Sequence, residues 1–157
     1  MSPSAVRPRP PAGTLARVPS PRPLAVAVIT HPITGAIFVD EITEPGTGRT
    51  FHRAVGGGIE LGERVADTLV RELREEYDVG IEVGTRLGAL ENLFVYDGKP
   101  GHEIVVVHEA RFTDPADYDR DRIPCRDVDG IVGVWHPLAG SRHPLYPDGL
   151  DDLLKGR

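Results

Sequence analysis

Residues 56–79 read GGGIELGERVADTLVRELREEYDV: three glycines that lead into an acidic, helix-forming run. At about 100° per residue, Ala66, Leu69, Val70, Leu73 and Tyr77 fall on one apolar stripe, which predicts a helix over Glu63–Tyr77. With Glu72 as the zero of that wheel, Glu75 lies near −60° and Glu76 near +40°. Three carboxylates thus crowd an arc of roughly 100°, with the apolar stripe facing elsewhere. Like charges at these spacings cost about 0.2–0.5 kcal/mol per pair, and helix propensity does not ask for them. A divalent cation would reverse the sign of the interaction, because hard oxygen donors suit Mg²⁺ or Mn²⁺. The alternative is a solvated acidic face partnered by Arg71 and Arg74. The preceding glycines let the backbone approach a ligand closely and offer a carbonyl as a further hard donor.

The flanking sequence is strand-rich. Leu24–Ile29 (LAVAVI) reads as a buried strand and Ala36–Ile42 as a second, with the His31–Gly35 turn residues predicting a hairpin between them. A short strand is expected around Thr50–Val55, interrupted by Gly56–Gly58. Beyond the helix, strands are expected at Ile81–Val83 running into Leu87–Tyr96, at Ile104–Phe112 and at Gly130–Trp135. Pro147–Leu154 reads as a short amphipathic helix, and Asp114–Val128 as a long exposed loop. Strands around one long helix imply an α/β (α+β) domain, a sandwich with a mixed sheet.

The chain has 157 residues and a net charge of −6. Residues 1–22 hold four arginines, six of the fifteen prolines and no acid, and read as a disordered or polyproline-like tail. That segment could serve as a basic arm or a linker. Removing those four positive charges leaves −10 on residues 23–157, the expected single domain. So acidic a body argues against a nucleic acid partner unless cations intervene. Cys125 stands alone, which excludes a disulfide framework and fits a reducing compartment. The longest apolar run, Leu24–Ile29, is far short of the roughly 20 residues of a membrane span. These features predict a cytoplasmic protein with no membrane partner.

Residues 57–79 resemble the Nudix box, the family signature G-x5-E-x7-R-E-U-x-E-E-x-G-U with U aliphatic. Gly57, Glu63, Arg71, Glu72, Leu73, Glu75, Glu76 and Val79 match at the right spacing, and Asp78 stands where the family has Gly. The resemblance implies an α/β/α sandwich around a mixed sheet and a pyrophosphohydrolase acting on a nucleoside diphosphate linked to another group. It implies Mg²⁺ or Mn²⁺ as cofactor, a nucleotide-type small molecule as partner and a possible homodimer. Carried over, Glu75 and Glu76 are the principal metal ligands, Glu72 a further ligand or the base that orients water, and the Gly56 carbonyl an additional ligand. Arg71 and Glu63 would form a structural ion pair that locks the loop onto the helix. Glu91–Tyr96 with Gly101–Ile104, and Pro144–Leu150, resemble the family more loosely. The alternative function is a Nudix-fold module that binds or regulates through a nucleotide without cleaving it, favoured only by Asp78.

Outside the box, Glu103 is the first candidate for a further acid and Glu109 the second. His102 could contact a phosphate, although an exposed loop histidine is the plainer reading. Phe94 and Tyr96 could stack on a nucleobase or belong to the core, and the same choice holds for Phe51. Trp135 is read as core.

Overall fold

A computed structural model describes residues 19–157. Most of the segment expected as a tail lies outside the described residues, and the first strand already begins at its last residue, Arg22. The order is β1 (Arg22–Ile29), β2 (Ile37–Thr43), β3 (Thr50–Gly58), α1 (Val65–Tyr77), β4 (Ile81–Tyr96) and β5 (Lys99–Phe112). A 3-10 turn (Pro115–Asp119) follows, then β6 (Arg122–Pro124), β7 (Val132–His136), β8 (Leu145–Tyr146) and α2 (Leu150–Lys155). The strands form one mixed sheet in the order β4-β5-β1-β3-β2-β7-β6, with β8 on β3.

The sheet lies between two apolar clusters. One holds Leu69, Leu73 and Tyr77 of α1 against Ala25, Ala27, Phe38 and Val55. The other holds Leu150 and Leu154 of α2 against Val26, Val39, Ala54 and Val105. This is the expected sandwich, with a mixed sheet between the two helices.

Three local expectations are corrected by the sheet. First, β1 and β2 do not form a hairpin: they meet only at a Thr30–Ile37 bridge, with β3 between them. Leu24–Ile29 is buried on both faces, and such a strand gains more from an interior place, here parallel to β5 and antiparallel to β3. Second, the glycines do not interrupt β3 but extend it, pairing with Leu24, Ala25 and Val26. Gly56 has φ +149°, and a Cβ there would lie 2.0 Å from the Ala25 carbonyl oxygen, so only glycine permits the pairing. Third, Asp114–Val128 is not simply an exposed loop. Ile123 is fully buried against the α1 side of the sheet, and Tyr118 stacks on Trp135.

The helix begins at Val65, leaving Glu63 in the preceding loop, and ends at Tyr77. Asp78 takes the left-handed conformation (φ 54°, ψ 36°), and its N–H donates to Arg74 O while Val79 N–H donates to Leu73 O. Asp78 therefore does by itself the work of the glycine that the Nudix box has at this position. Because an L residue is strained there, Asp78→Gly should stabilise the fold by about 0.5 kcal/mol. Its exposed partners Arg74 and Arg126, at 3.5 Å, offset little of that. Urea denaturation checks it; an unchanged or lower midpoint contradicts it.

Candidate active site

The buried arc of α1 is only partly the stripe read from the periodicity: Leu69, Leu73 and Tyr77 are buried as expected. Ala66 and Val70 are exposed, whereas Thr68 is fully buried beside Leu69 and Leu73. The helix has rolled so that Glu72 and Glu76 fall on its sheet-facing side, and Glu75 stays at the solvent edge. The glycines explain how a carboxylate fits there. A Cβ on Gly57 would lie 2.2–2.6 Å from the Glu72 carboxyl atoms, so the Glu72 head occupies the space that glycine leaves open.

Arg71 organises the loop and two of the carboxylates. Its Nε and Nη2 donate to the two oxygens of Glu63 at 2.7 and 2.9 Å, and Nη2 also reaches Gly58 O at 3.2 Å. Its Nη1 donates to Glu72 Oε1 at 2.8 Å and Glu75 Oε2 at 3.2 Å. Glu63 also accepts from the Thr68 hydroxyl at 2.7 Å and from Glu60 N–H. Hydrogen bonds from Arg71 and then Thr68 pull the Glu63 carboxyl down to about 2. The Arg71–Glu63 pair is thus a bidentate clamp between loop and helix.

Glu76 is the anomaly. Its Oε2 is buried with no hydrogen-bond partner among the described residues. Burial first, then the neighbouring Asp40 and Glu72 carboxylates, push its pKa up to about 8. Burial likewise raises Glu72 against the pull of Arg71. Beneath Glu76 lies a pair that sequence reading missed. Asp40 of β2 is buried, accepts from the Tyr77 hydroxyl, and takes a 2.9 Å hydrogen bond from Arg53 Nη2 of β3. The three helix carboxylates do not by themselves bring three oxygens within 4.8 Å of one another. Arg71 draws Glu72 and Glu75 to one nitrogen.

Arg53 links this cluster to a cleft of about 520 Å³. Phe51 and Arg53 of β3, Asn92–Tyr96 of β4, Glu103 of β5, Val128 and Ile131, and Tyr146 and Asp148 are among its lining residues. Phe51 meets Tyr146 and Tyr96 edge to face at 5.5 and 6.2 Å. Glu103 is buried and accepts from Asn92 Nδ2 at 3.2 Å, while Asn92 Oδ1 accepts from Asp148 N–H at 3.2 Å.

The cleft therefore includes Phe51, Phe94, Tyr96 and Glu103 and leaves out His102, Glu109 and Trp135. His102 does not line it; the imidazole pairs with Glu91 at 2.8 Å on the exposed side of the β4–β5 hairpin. Glu109 lies in a different pocket and pairs with Arg157. Trp135 donates to Arg120 O at 3.0 Å and packs on Phe38 and Tyr118. Cys125 is half-buried, and burial pushes its thiol up, away from the thiolate a nucleophile needs. No helix among the described residues is long and apolar enough to cross a membrane.

Comparison with known proteins agrees with this architecture. Residues 21–151 match the model of the NUDIX domain. A MutT NUDIX hydrolase from Burkholderia pseudomallei superposes with a TM-score of 0.60 at 21% identity, covering 88% of this chain and 100% of that one. A MutT protein from Methanosarcina mazei Go1 gives 0.59 at 15% identity over 86% and 91%. An ADP-ribose pyrophosphatase from Streptococcus suis gives 0.53 at 17% identity over 81% of each chain. At such identities the likeness is one of fold. No curated protein matches the chain by sequence.

Proposed function

The chain belongs to the Nudix family, and from that premise we propose that it is a divalent-cation-dependent hydrolase. The bond cleaved is the phosphoanhydride of a nucleoside diphosphate linked to a second group. The observation that carries this reading is the orphaned, buried Oε2 of Glu76 beside the Asp40 and Glu72 carboxylates. Buried carboxylates without enough cationic partners fit a hard divalent ion. Glu75, Glu76 and the Gly56 carbonyl would hold Mg²⁺ or Mn²⁺, with Glu72 as a further ligand or as the base and Glu103 as a further acid across the cleft. When bound, the ion neutralises diphosphate oxygens and makes a nearby water more acidic.

The chain's own groups supply the rest. Arg71 fixes Glu72 through Oε1 and leaves the second oxygen of Glu72 to take the proton of the attacking water. Arg53, held by Asp40, presents a guanidinium where the carboxylate cluster meets the cleft and is placed to steady a phosphate. Phe51, Phe94 and Tyr96 offer aromatic surface for the nucleoside half, in a volume within the usual range for small-molecule sites.

The complete carboxylate set counts against a binding-only module, and Asp78, the one box position that favours it, takes the left-handed cap. Incubation with nucleoside triphosphates, sugar nucleotides, ADP-ribose, dinucleotides and nucleotide coenzymes, with Mg²⁺ or Mn²⁺, tests the proposal. Release of a nucleoside phosphate from at least one class is expected. Folded protein that binds the cation and turns over none of them would overturn it.

A further inference from the structure

The face of the sheet opposite α1 carries a second polar cluster, built from residues that the proposed hydrolysis does not use. Glu41 of β2 and His52 of β3 are register partners. His143, from the segment between β7 and β8, comes up beside them, its ring 4.8 Å from that of His52. One donor atom from each of the three lies within 4.8 Å of the other two. We propose that Glu41, His52 and His143 form a structural site for a zinc-type transition-metal ion, separate from the carboxylate site on α1.

The internal geometry favours an ion over a set of ordinary hydrogen bonds. Glu41 Oε2 and His52 Nε2 are 3.4 Å apart. That is long for a carboxylate–imidazole hydrogen bond. It is close to the separation of roughly 3.4 Å between two donors on a tetrahedral centre with bonds of about 2.1 Å. The other imidazole nitrogen of His52, Nδ1, is engaged by Nδ1 of the buried His136 at 2.8 Å. In the tautomer in which His52 Nδ1–H donates to His136, His52 turns the lone pair of Nε2 toward Glu41, and an ion between the two acceptors satisfies both. Such a bond from a ligand's second nitrogen is the usual device that fixes ring orientation and tautomer at metal sites.

Arg122 Nη2 binds the other oxygen of Glu41, Oε1, at 3.0 Å, which orients the carboxylate and leaves Oε2 for the ion. Ser141 Oγ accepts from His143 N–H and donates to His143 O, both at 3.2 Å, so the loop holding the third donor is itself braced. Two imidazoles and one carboxylate suit Zn²⁺ better than Mg²⁺, and three protein donors leave a fourth position to solvent. The ion would tie the segment before β8 to β2 and β3. That segment leads directly into Tyr146 and Asp148, which line the cleft, so the clamp would brace one wall of the cleft from behind.

The test uses the full chain, stripped with a chelator and titrated with Zn²⁺ by calorimetry. Co²⁺ serves as a spectroscopic stand-in, because a four-coordinate site gives intense visible bands. The Glu76→Gln background separates this site from the helix carboxylates. Because His52→Ala removes a buried ring and can cost the fold, His143→Ala and Glu41→Gln are the informative variants. One Zn²⁺ per chain is expected in Glu76→Gln, with a rise in Tm on binding, and the wild type keeps this site beside any ion held by the helix carboxylates. His143→Ala should weaken Zn²⁺ at least about tenfold and abolish the four-coordinate cobalt spectrum, with Glu41→Gln intermediate. Absence of Zn²⁺ binding in Glu76→Gln, or binding by Glu76→Gln/His143→Ala as tight as in Glu76→Gln alone, would overturn the assignment.

Discussion

Glu76→Gln should lower kcat by about 10³-fold on the preferred substrate while leaving the fold intact. The substitution keeps the shape of the side chain and its place beside Asp40 and Arg53, but removes the charge that a cation needs. It should also change how stability depends on pH when divalent cations are chelated. The Glu76 pKa is raised in the folded protein from the ordinary value near 4.5 to about 8, chiefly by burial and then by Asp40. Between these values the folded chain holds the proton more firmly than the unfolded chain does. The contribution of Glu76 to stability is therefore fully present below about pH 4.5 and is lost as pH rises through about 8. In EDTA the wild type should lose Tm from pH 6 to 9 more steeply than Glu76→Gln, and saturating Mg²⁺ should flatten the difference. Parallel pH curves for the two proteins would show that Glu76 is not the strained group inferred from its orphaned oxygen.

Arg71→Ala should reduce kcat/KM by roughly 10–100-fold, the range seen when groups that orient metal ligands are removed. It should also lower Tm. Arg71 makes five hydrogen bonds, to Glu63, Gly58, Glu72 and Glu75, and no neighbour can replace them. Arg71→Lys keeps the charge but cannot span both oxygens of Glu63 while reaching Glu72 and Glu75, so it should recover little of the rate. The pH signature has the opposite sign to that of Glu76. Glu63 is held down to about 2 by Arg71 and Thr68, so its contribution is present above about pH 4.5 and is lost as pH falls through about 2. Arg71→Ala should therefore narrow the gap in acid stability between variant and wild type as pH approaches 2. Full activity in Arg71→Lys would contradict the clamp, since it would make charge alone sufficient.

How much of this was legible in the sequence depends on the range of the interaction. The carboxylates of α1 are set by spacing along one helix, which a single sequence displays, and the Arg71–Glu63 pair is what the resemblance to the Nudix box implies. The end of the helix at Asp78 was legible for the same reason. The face that α1 buries was legible in part, since Leu69, Leu73 and Tyr77 are buried as the periodicity predicts. Periodicity alone treats Ala66 and Val70 as core, whereas Gly57 opens a space that draws Glu72 inward and turns them to solvent. In isolation glycines favour loops and so suggest a break; beside β1 they are what lets the backbones meet.

Asp40 and Arg53 are thirteen residues apart and become partners through β2–β3 register. Asn92, Tyr146 and Asp148 reach the cleft by pairings equally remote along the chain. The only sequence signal for Arg53 was a charged residue within an otherwise apolar stretch, AVGGG following FHR. The cluster of Glu41, His52, His136 and His143 spans about a hundred positions, and nothing local announces it.

The most direct test of the central claim follows one substrate from the panel through removal and return of the cation. Wild-type protein in EDTA should show no turnover, should regain it on addition of Mg²⁺ or Mn²⁺, and should do so in proportion to occupancy of a site that Glu76→Gln weakens. Turnover that persists in EDTA, or that returns equally in Glu76→Gln, would contradict the assignment of the α1 carboxylates as the cation-binding centre of a hydrolase.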